Sequence, residues 1–182
     1  MSSSVNSERT VLVTGATGKQ GGAVARELLH RGYRVRALTR EPGKPAAQEL
    51  AGLGADVVRG DLDDPESLRP SLEGVYGAFS MQNYWETGFE REVAQGIALA
   101  DLASEIGVQH FVYDSVGSAN RETGLSHFES KWRIEERIRE LDLAGDELSM
   151  SDTATTFGRV IGRPVEYVQL SWEKYREIAG EE

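Results

Sequence analysis

A glycine loop near the start of the chain has the residue types and spacing needed to contact phosphate groups. Gly15, Gly18 and Gly21 stand three residues apart, directly after the apolar run Thr10–Val13. The first glycine permits a tight turn after a strand, the second lets the backbone approach a pyrophosphate, and the third lets helix and strand pack closely. The N–H groups and positive dipole of the following helix then face the phosphates. The loop predicts a nucleotide cofactor, foremost a nicotinamide dinucleotide, and a bare strand-to-helix turn is the alternative.

Alternating strand and helix patterns position that loop. Short runs rich in Val and Phe predict strands at Thr10–Val13, Arg34–Thr39, Asp56–Arg59, Val75–Ser80 and Gln109–Tyr113. Helical patterns between them cover Gln20–His30, Ala46–Leu53, Pro65–Leu72, Phe89–Ile106 and Ser126–Leu141. Such a series of βα units implies an α/β fold with a doubly wound, Rossmann-like parallel sheet. Ligands of such a sheet bind outside the carboxyl ends of the strands.

The composition excludes several classes of function. The chain has 182 residues, with 20 Lys and Arg against 30 Asp and Glu, and its net charge of −10 disfavours direct binding of nucleic acid. The absence of cysteine excludes disulfides, thiolate metal sites and cysteine nucleophiles, and the three histidines are not spaced as a metal pair. The polar start lacks an apolar signal core, and no apolar run approaches the ~20 residues needed to cross a bilayer. We therefore expect a cytoplasmic protein with no metal and no membrane partner.

Charged residues follow the second predicted strand, where a dinucleotide site selects between NAD and NADP. An acid at this position bonds the ribose 2′-hydroxyl of NAD, whereas an arginine accommodates the 2′-phosphate of NADP. Arg40 fits the second case, and Lys44 adds a further positive charge. Glu41 opposes this interpretation, and ordinary surface charge after a strand is the alternative.

The next two strand ends also carry candidate ligand contacts. Asp61 and Leu62 follow the third strand and could border an adenine, whereas Asp64 is expected to cap the helix that starts at Pro65.

After the fourth strand, the amides Gln82 and Asn83 precede the aromatic residues Tyr84 and Trp85. This sequence suits the rim of a flat ligand, and an aromatic pair that closes the core is an equal alternative.

Together these segments resemble the NmrA-like branch of the atypical short-chain dehydrogenase/reductases. The resemblance covers about residues 9 to 141 and rests on Thr14–Gly21, Thr39–Arg40, Gly60–Asp64, Asn83–Trp85 and His127–Lys131. Members of this branch bind NADP(H). Some are redox-sensing regulators with little or no dehydrogenase activity, and others are NAD(P)H-dependent quinone or related reductases.

The resemblance implies a role for each matching position. The pyrophosphate is expected on the glycine loop, against Gly15, Ala16, Thr17, Gly18, Lys19, Gln20 and Gly21. After the second strand, Arg40 and Lys44, beside Thr39, are expected to hold the 2′-phosphate. Asp61 and Leu62 would border the adenine, while the ribose and nicotinamide would lie near Gln82, Asn83, Tyr84 and Lys131. NADP(H) is therefore the expected cofactor, with NAD(H) the weaker ligand.

One departure from the wider superfamily concerns catalysis. Active short-chain enzymes use a tyrosine four residues before a lysine, with a serine upstream, and the lysine lowers the pKa of the tyrosine so that it can deliver a proton. Here His127 precedes Lys131 at that spacing, and Ser115 is retained. These three are the candidate catalytic residues. A histidine can donate a proton near neutral pH, and the alternative is that His127 starts a helix and has no chemical role.

A second departure concerns length. Residues 1–143 are expected to form the NADP(H)-binding Rossmann domain. Residues 144–182 resemble the far C-terminal part of the family and are expected to form a small α/β remnant of the substrate subdomain, packed on the first domain. A long part of the family pattern is missing between Leu143 and Ala144. A real deletion, an engineered junction and residues not included in the sequence are all open.

Three functions follow as expectations. The first is a redox-sensing or regulatory binder that responds to the NADPH/NADP⁺ state. The second is an oxidoreductase that passes hydride from NADPH to a quinone-like acceptor, in which the cofactor supplies the chemistry and no tyrosine acid is required. The third is a truncated scaffold without activity. The partners left open are a small quinone-like substrate, a regulatory protein and a second copy of the chain in a homodimer.

Overall fold

A computed structural model of the chain describes residues 6–117, 119–120, 124–143 and 164. Its strands are β1 Thr10–Val13, β2 Arg34–Thr39, β3 Asp56–Arg59, β4 Gly77–Ser80 and β5 His110–Tyr113. Its helices are α1 Lys19–His30, α2 Pro45–Gly52, α3 Pro65–Leu72, α4 Tyr84–Ile106 and α5 Ser126–Glu140. The described strands form one parallel sheet in the order β3-β2-β1-β4-β5. The predicted α/β, Rossmann-like fold class is therefore confirmed.

Apolar side chains leave both faces of this sheet, as a doubly wound fold requires. Successive residues of a strand point to opposite faces. Leu12 and Leu38 join a core that includes Leu99 and Ile134, whereas their neighbours Val13 and Ala37 join a second core. This alternation explains the near-continuous apolar character of β1 and of the second half of β2, since strands covered on both faces carry apolar residues throughout.

Most element boundaries lie close to the predicted ones, and the largest difference is at the start of α4. The prediction places this start at Phe89, whereas the helix begins at Tyr84. Gly88 has φ 73° and ψ 178° within it, so a short first turn precedes the main helix. The prediction missed the turn because a glycine break hides the helical period of the residues before it.

Helices α4 and α5 approach each other closely at a glycine. An added Cβ at Gly96 would lie 2.5 Å from Cδ1 and 2.9 Å from Cγ2 of Ile134, which is fully buried. The absence of a side chain at Gly96 therefore lets α5 pack against the backbone of α4. This contact fixes the distance between two helices that carry candidate site residues.

The predicted C-terminal piece, residues 144–182, lies outside the described residues apart from residue 164. Among the helices of the described part, none is long and apolar enough to cross a membrane.

The Gly96→Val substitution should lower the free energy of unfolding by about 1–3 kcal/mol, because the added atoms overpack the contact with Ile134. Chemical denaturation monitored by circular dichroism measures this change. Gly52→Val is the matched control, because a Cβ at Gly52 meets no heavy atom within 4 Å. Equal stability of the two variants would contradict the close packing of α4 on α5.

Candidate functional site

The glycine loop after β1 is folded as a close turn that side chains would block. Gly15 has φ 60°, a left-handed conformation that favours glycine, and a Cβ there would lie 2.5 Å from Sδ of Met81. A Cβ at Gly21 would lie 2.4 Å from the carbonyl oxygen of Gly15. The N–H of Gly18 donates to that same carbonyl at 2.9 Å. Two of the predicted glycines are therefore required by the turn itself.

Thr14 joins the ends of β1 and β4 beneath the loop. Its buried hydroxyl accepts a hydrogen bond from the N–H of Met81 at 2.8 Å. The same hydroxyl lies 3.0 Å from the carbonyl oxygen of Met81 and 3.2 Å from that of Phe79. Because this one side chain is bonded to both strand ends, the glycine loop and the segment after β4 keep a fixed relative position.

The start of α1 offers backbone donors. Gly18 is the N-cap in an extended conformation, without a side-chain cap, and the first turn holds no acidic residue. The N–H of Gly22 donates to the carbonyl of Gly18 at 3.0 Å and begins the helical ladder. The N–H groups of Lys19, Gln20 and Gly21 therefore have no carbonyl partner within the helix, and the dipole gives this end partial positive charge. The helix end is built for an anion.

A cleft of about 220 Å³ opens beside this loop, at the carboxyl ends of β1 to β4. Ten of the predicted cofactor residues line it: Gly15, Thr17, Gly18, Thr39, Arg40, Lys44, Asp61, Leu62, Gln82 and Asn83. Further lining residues, absent from the prediction, are Leu38, Glu41, Gly60, Met81, Glu86, Thr87 and Gln95. The cleft therefore brings together the loop and three further strand ends.

The remaining predicted cofactor residues do not line this cleft: Ala16, Lys19, Gln20, Gly21, Tyr84 and Lys131. Ala16 is buried in the core on one face of the sheet. Nε2 of Gln20 donates to Oδ1 of Asp114 at 3.4 Å, which links the start of α1 to the end of β5. The hydroxyls of Tyr84 and Ser126 share a hydrogen bond at 2.5 Å.

Both cations predicted to hold a 2′-phosphate form ion pairs with carboxylates that line the same cleft. Nη2 of Arg40 lies 2.6 Å from Oε1 of Glu86, and Nζ of Lys44 lies 2.6 Å from Oε1 of Glu41. The hydrogen bond and charge of the first pair raise the pKa of Arg40 and lower the pKa of Glu86. Both side chains of that pair are about half exposed, so the pair is weak enough for a ligand to displace.

The acidic segment after β3 is largely occupied by its own contacts. Oδ1 of Asp61 accepts the N–H of Asp63 at 3.1 Å, which closes a local turn. Oδ1 of Asp63 accepts Nε2 of Gln95 at 2.7 Å, and its other oxygen pairs with Arg91. These hydrogen bonds, Arg91 first, lower the pKa of Asp63. Asp64 takes the predicted N-cap position of α3 but makes no side-chain cap bond.

Gln82 brings an unpaired amide atom to the cleft. The side chain is 4% exposed, and Nε2 donates to Oγ of Ser80 at 3.0 Å. Oε1 is buried and has no hydrogen-bond partner. Because a buried polar atom without a partner is costly, this oxygen is a ready acceptor for a ligand hydroxyl or amide. Rotating the amide by 180° would leave its nitrogen unpaired instead, so the site would then offer a donor.

The three candidate catalytic residues have separate partners. The hydroxyl of Ser115 donates to Oε1 of Glu135. Nζ of Lys131 lies 3.1 Å from Oε1 of the buried Glu92. His127 lies in an aromatic group, with ring centroids 5.7 Å from Tyr84, 5.3 Å from Trp85 and 4.8 Å from Phe128. None of the three lines the cleft.

Neighbouring groups at the end of β5 have shifted pKa values. Burial, with the carboxylates of Glu92, Glu135 and Asp114 as further causes, raises the pKa of Tyr113. Burial also raises the pKa of Asp114, although Lys131 and the bond from Gln20 oppose this shift. Burial therefore disfavours ionisation of Tyr113, which is the opposite of the effect that the lysine has on the tyrosine of active short-chain enzymes.

The second of the two aromatic residues after β4, Trp85, does not close the core. Trp85 is 80% exposed and meets the ring of Tyr84 edge-on at 5.4 Å between centroids. Of the two interpretations of this pair, closure of the core is therefore wrong for Trp85.

Comparison with known proteins decides the family. Residues 7–144 match the NmrA-like family. The chain belongs to this family. An NmrA-like family domain-containing oxidoreductase, hkm9 of Aspergillus hancockii, is 42% identical over 140 residues, which cover 72% of this chain and 42% of that protein.

Solved structures of the NmrA-like family agree with this assignment. NmrA, a negative transcriptional regulator in complex with NADP, has a TM-score of 0.63 and 26% identity over 75% of this chain and 43% of its own. The same regulator in complex with NAD has a TM-score of 0.64 and 25% identity over 74% of this chain and 42% of its own. The chain spans less than half the length of the curated NmrA-like relatives that it matches.

Sequence reasoning missed two carboxylates of this NmrA-like chain. Glu86 lies in the short first turn of α4, which the predicted helix omitted, whereas Glu92 lies within the predicted helix Phe89–Ile106 and had no predicted role. A helical period extended from Tyr84 across Gly88 would have placed Glu86 on α4 as well. Their partners Arg40 and Lys131 are about forty residues distant in the chain, and no local signal reveals such pairs.

Proposed function

We propose that this chain binds a nicotinamide dinucleotide in the cleft beside the glycine loop, with NADP(H) preferred over NAD(H), and acts as a redox-sensing or regulatory protein. The observation that carries the proposal is the glycine loop itself, which presents the uncapped start of α1 at the carboxyl ends of the strands. The two NmrA complexes, one with NADP and one with NAD, support a dinucleotide of either kind.

The residues present fit such a cofactor. Gly18 lines the cleft, and a Cβ there would lie 3.2 Å from the carbonyl of Gly15, so its lack of a side chain keeps the loop backbone open towards a pyrophosphate. The unpaired Oε1 of Gln82 would accept from the ribose or the carboxamide. The cleft of about 220 Å³ is below the ~300–1,000 Å³ of drug-sized pockets. It would therefore enclose the adenosine half, with the nicotinamide half extending beyond Gln82 and Asn83.

When bound, the nicotinamide would supply hydride transfer, and this chain would supply binding and orientation. The backbone donors at the start of α1 would neutralise the pyrophosphate. Arg40 and Lys44 would exchange Glu86 and Glu41 for the 2′-phosphate, since charge-assisted bonds to phosphate are among the stronger hydrogen bonds. Leu62 would border the adenine.

The regulatory role is preferred because the groups needed for proton delivery are otherwise engaged. The hydroxyl of Ser115 is bonded to Glu135, and burial raises the pKa of Tyr113. Among the described residues, His127 lies at tilted angles to aromatic rings and has no acid or amide that would orient it. These contacts disfavour Ser115, Tyr113 and His127 as the group that delivers a proton.

An oxidoreductase that reduces a quinone-like acceptor is the second candidate. The names of several relatives, hkm9 among them, include the word oxidoreductase. Direct hydride transfer to a quinone needs orientation of the two rings more than a protein acid. The exposed ring of Trp85, close to Tyr84 and His127, would offer a flat surface for such a ring.

The Gly18→Val substitution should abolish binding of NADPH and NADH, because the side chain would occupy the approach of the pyrophosphate to the backbone. Fluorescence titration measures binding, and circular dichroism verifies the fold. Gly52→Val is the control, and its NADPH affinity should equal that of the unaltered protein. Full NADPH affinity in a folded Gly18→Val variant would show that the loop is only a strand-to-helix turn and does not bind the pyrophosphate.

Cofactor preference should depend on Arg40 and on its competitor Glu86. We expect NADPH to bind at least about tenfold more tightly than NADH, or ~1.4 kcal/mol, and Arg40→Ala to remove most of this difference without weakening NADH. Glu86→Gln removes the carboxylate that competes for the guanidinium of Arg40. It should raise the affinity for NADPH by about two- to fivefold, because an exposed pair contributes at most ~1 kcal/mol, and leave the affinity for NADH unchanged. Calorimetric titration gives each dissociation constant.

Glu105→Gln is the matched control for that series. Glu105 forms an exposed pair with Arg69 at 3.0 Å, and neither residue lines the cleft. The Glu105→Gln substitution should therefore change neither the affinity for NADPH nor the affinity for NADH. Equal binding of NADPH and NADH by the unaltered protein would contradict the NADP assignment, whatever Glu86→Gln does.

Steady NADPH oxidation in the presence of a quinone separates the two candidate functions. A regulator should show none, and a reductase should turn over. If turnover occurs, His127→Ala should change its rate by less than about tenfold, below the ~10²–10⁴ contribution of a general acid. A much larger loss with unchanged NADPH affinity would identify His127 as an acid catalyst and favour the enzyme.

A further inference from the structure

A fully buried carboxylate on α4 faces the lysine on α5. Glu92 is 0% exposed, and its Oε1 lies 3.1 Å from Nζ of Lys131, whose side chain is 13% exposed. The hydroxyl of Ser130 donates to the other oxygen, Oε2. The contact with Lys131 has ion-pair distance without the alignment of a hydrogen bond. Electrostatic attraction, rather than a directional hydrogen bond, therefore holds the ammonium beside Glu92.

The packing of the two helices produces this arrangement. Glu92 and Gly96 are one turn apart on α4, and Ser130 and Ile134 are one turn apart on α5, so each pair shares a helix face. The glycine admits Ile134 against the backbone of α4. At this short separation, the carboxylate one turn towards the start of α4 reaches both Ser130 and the neighbouring lysine.

Lys131 also faces the ends of two strands. Its Nζ lies 3.5 Å from the carbonyl oxygen of Gln82, which follows β4, and 5.3 Å above the ring centroid of Tyr113 at the end of β5. Its charge also acts on Asp114. Gln82 lines the cleft, so the ammonium contacts the backbone of a cleft residue. An ammonium has three donors, and among the described residues only its contact with the carbonyl of Gln82 has the alignment of a hydrogen bond, so donors remain for a ligand.

We infer that Glu92 is a positioning residue, which holds Lys131 with a free N–H towards the ribose on the nicotinamide side of the cofactor. The inference rests on the proposed function, because it presumes a dinucleotide in the cleft. Glu92 itself, buried between the helices, does not touch the cofactor.

A purely structural role explains the pair less well. Burying two charges costs nearly as much as their attraction returns, so an ion pair of this kind adds little net stability compared with apolar side chains. Its distinctive effect is on position, because a lysine without a fixed partner has a long flexible stem. Glu92 and Ser130 remove that freedom before any ligand arrives, which is preorganisation.

Titration with two ligands tests this role. NADPH reaches Lys131, whereas adenosine 2′,5′-bisphosphate carries only the adenosine half and does not. Glu92→Gln should lower the affinity for NADPH by about tenfold, because a charge-assisted contact is lost. The affinity for the bisphosphate should change by less than about twofold. Lys131→Met should give the same pattern. The double variant should be no weaker than Lys131→Met alone, because Glu92 acts through Lys131.

The outcomes separate this inference from the proposed function. Parallel losses of both ligands in Glu92→Gln, unchanged NADPH affinity, or additive losses in the double variant would each overturn it. If the unaltered protein binds neither ligand, the proposed function fails first.

Ser130→Ala provides a second variant should Glu92→Gln not fold. It removes only the hydroxyl that holds Oε2 and leaves the ion pair in place. The affinity for NADPH should fall by about threefold, and the affinity for the bisphosphate should not change. Equal affinities of Ser130→Ala and the unaltered protein for NADPH would contradict a positioning role.

Discussion

The close approach of β1, the glycine loop and α1 is the constraint on which the rest of the structure depends. A Cβ at Gly21 would lie 2.4 Å from the carbonyl oxygen of Gly15. The absence of a side chain at Gly21 therefore allows α1 to start within a few residues of the end of β1. Thr14 then bonds the same turn to the backbone after β4. Because of these contacts the uncapped helix start, the cleft and the amide of Gln82 have one fixed geometry. A ligand would find this half of the site already formed, which lowers the entropy lost on binding.

Charge balance gives the site a second property. The cleft carries Arg40 and Lys44, but Glu86 and Glu41 stand beside them at 2.6 Å each. A 2′-phosphate would have to displace exposed carboxylates, whereas Lys131 is held by the buried Glu92. The two ends of the proposed cofactor would thus meet different kinds of site. The adenosine end would have exchangeable partners, and the nicotinamide end would have a lysine fixed from within the core.

The secondary-structure elements and much of the cleft could be predicted from the sequence, because the signals for them lie in neighbouring residues. The apolar runs of β1 and β2 and the glycine spacing are read from adjacent residues, and strand ends of a parallel sheet converge on one edge. Ten predicted residues line the cleft for this reason. The pairs Arg40–Glu86 and Lys131–Glu92 could not be read in this way, because each joins elements whose separation is set by packing. Gly96 illustrates the difficulty: within its helix pattern it is only a tolerated glycine, and in the fold it brings α5 close to α4.

The most direct test of the account is a ¹H–¹⁵N NMR titration of the whole chain with NADP⁺. We expect saturable shifts of the backbone amides of the glycine loop and of the strand ends around Thr39, Asp61 and Gln82, with little change at the far ends of the same strands. Absence of saturable shifts, or shifts confined to residues outside the cleft, would contradict the claim that the loop and the strand ends form a dinucleotide site.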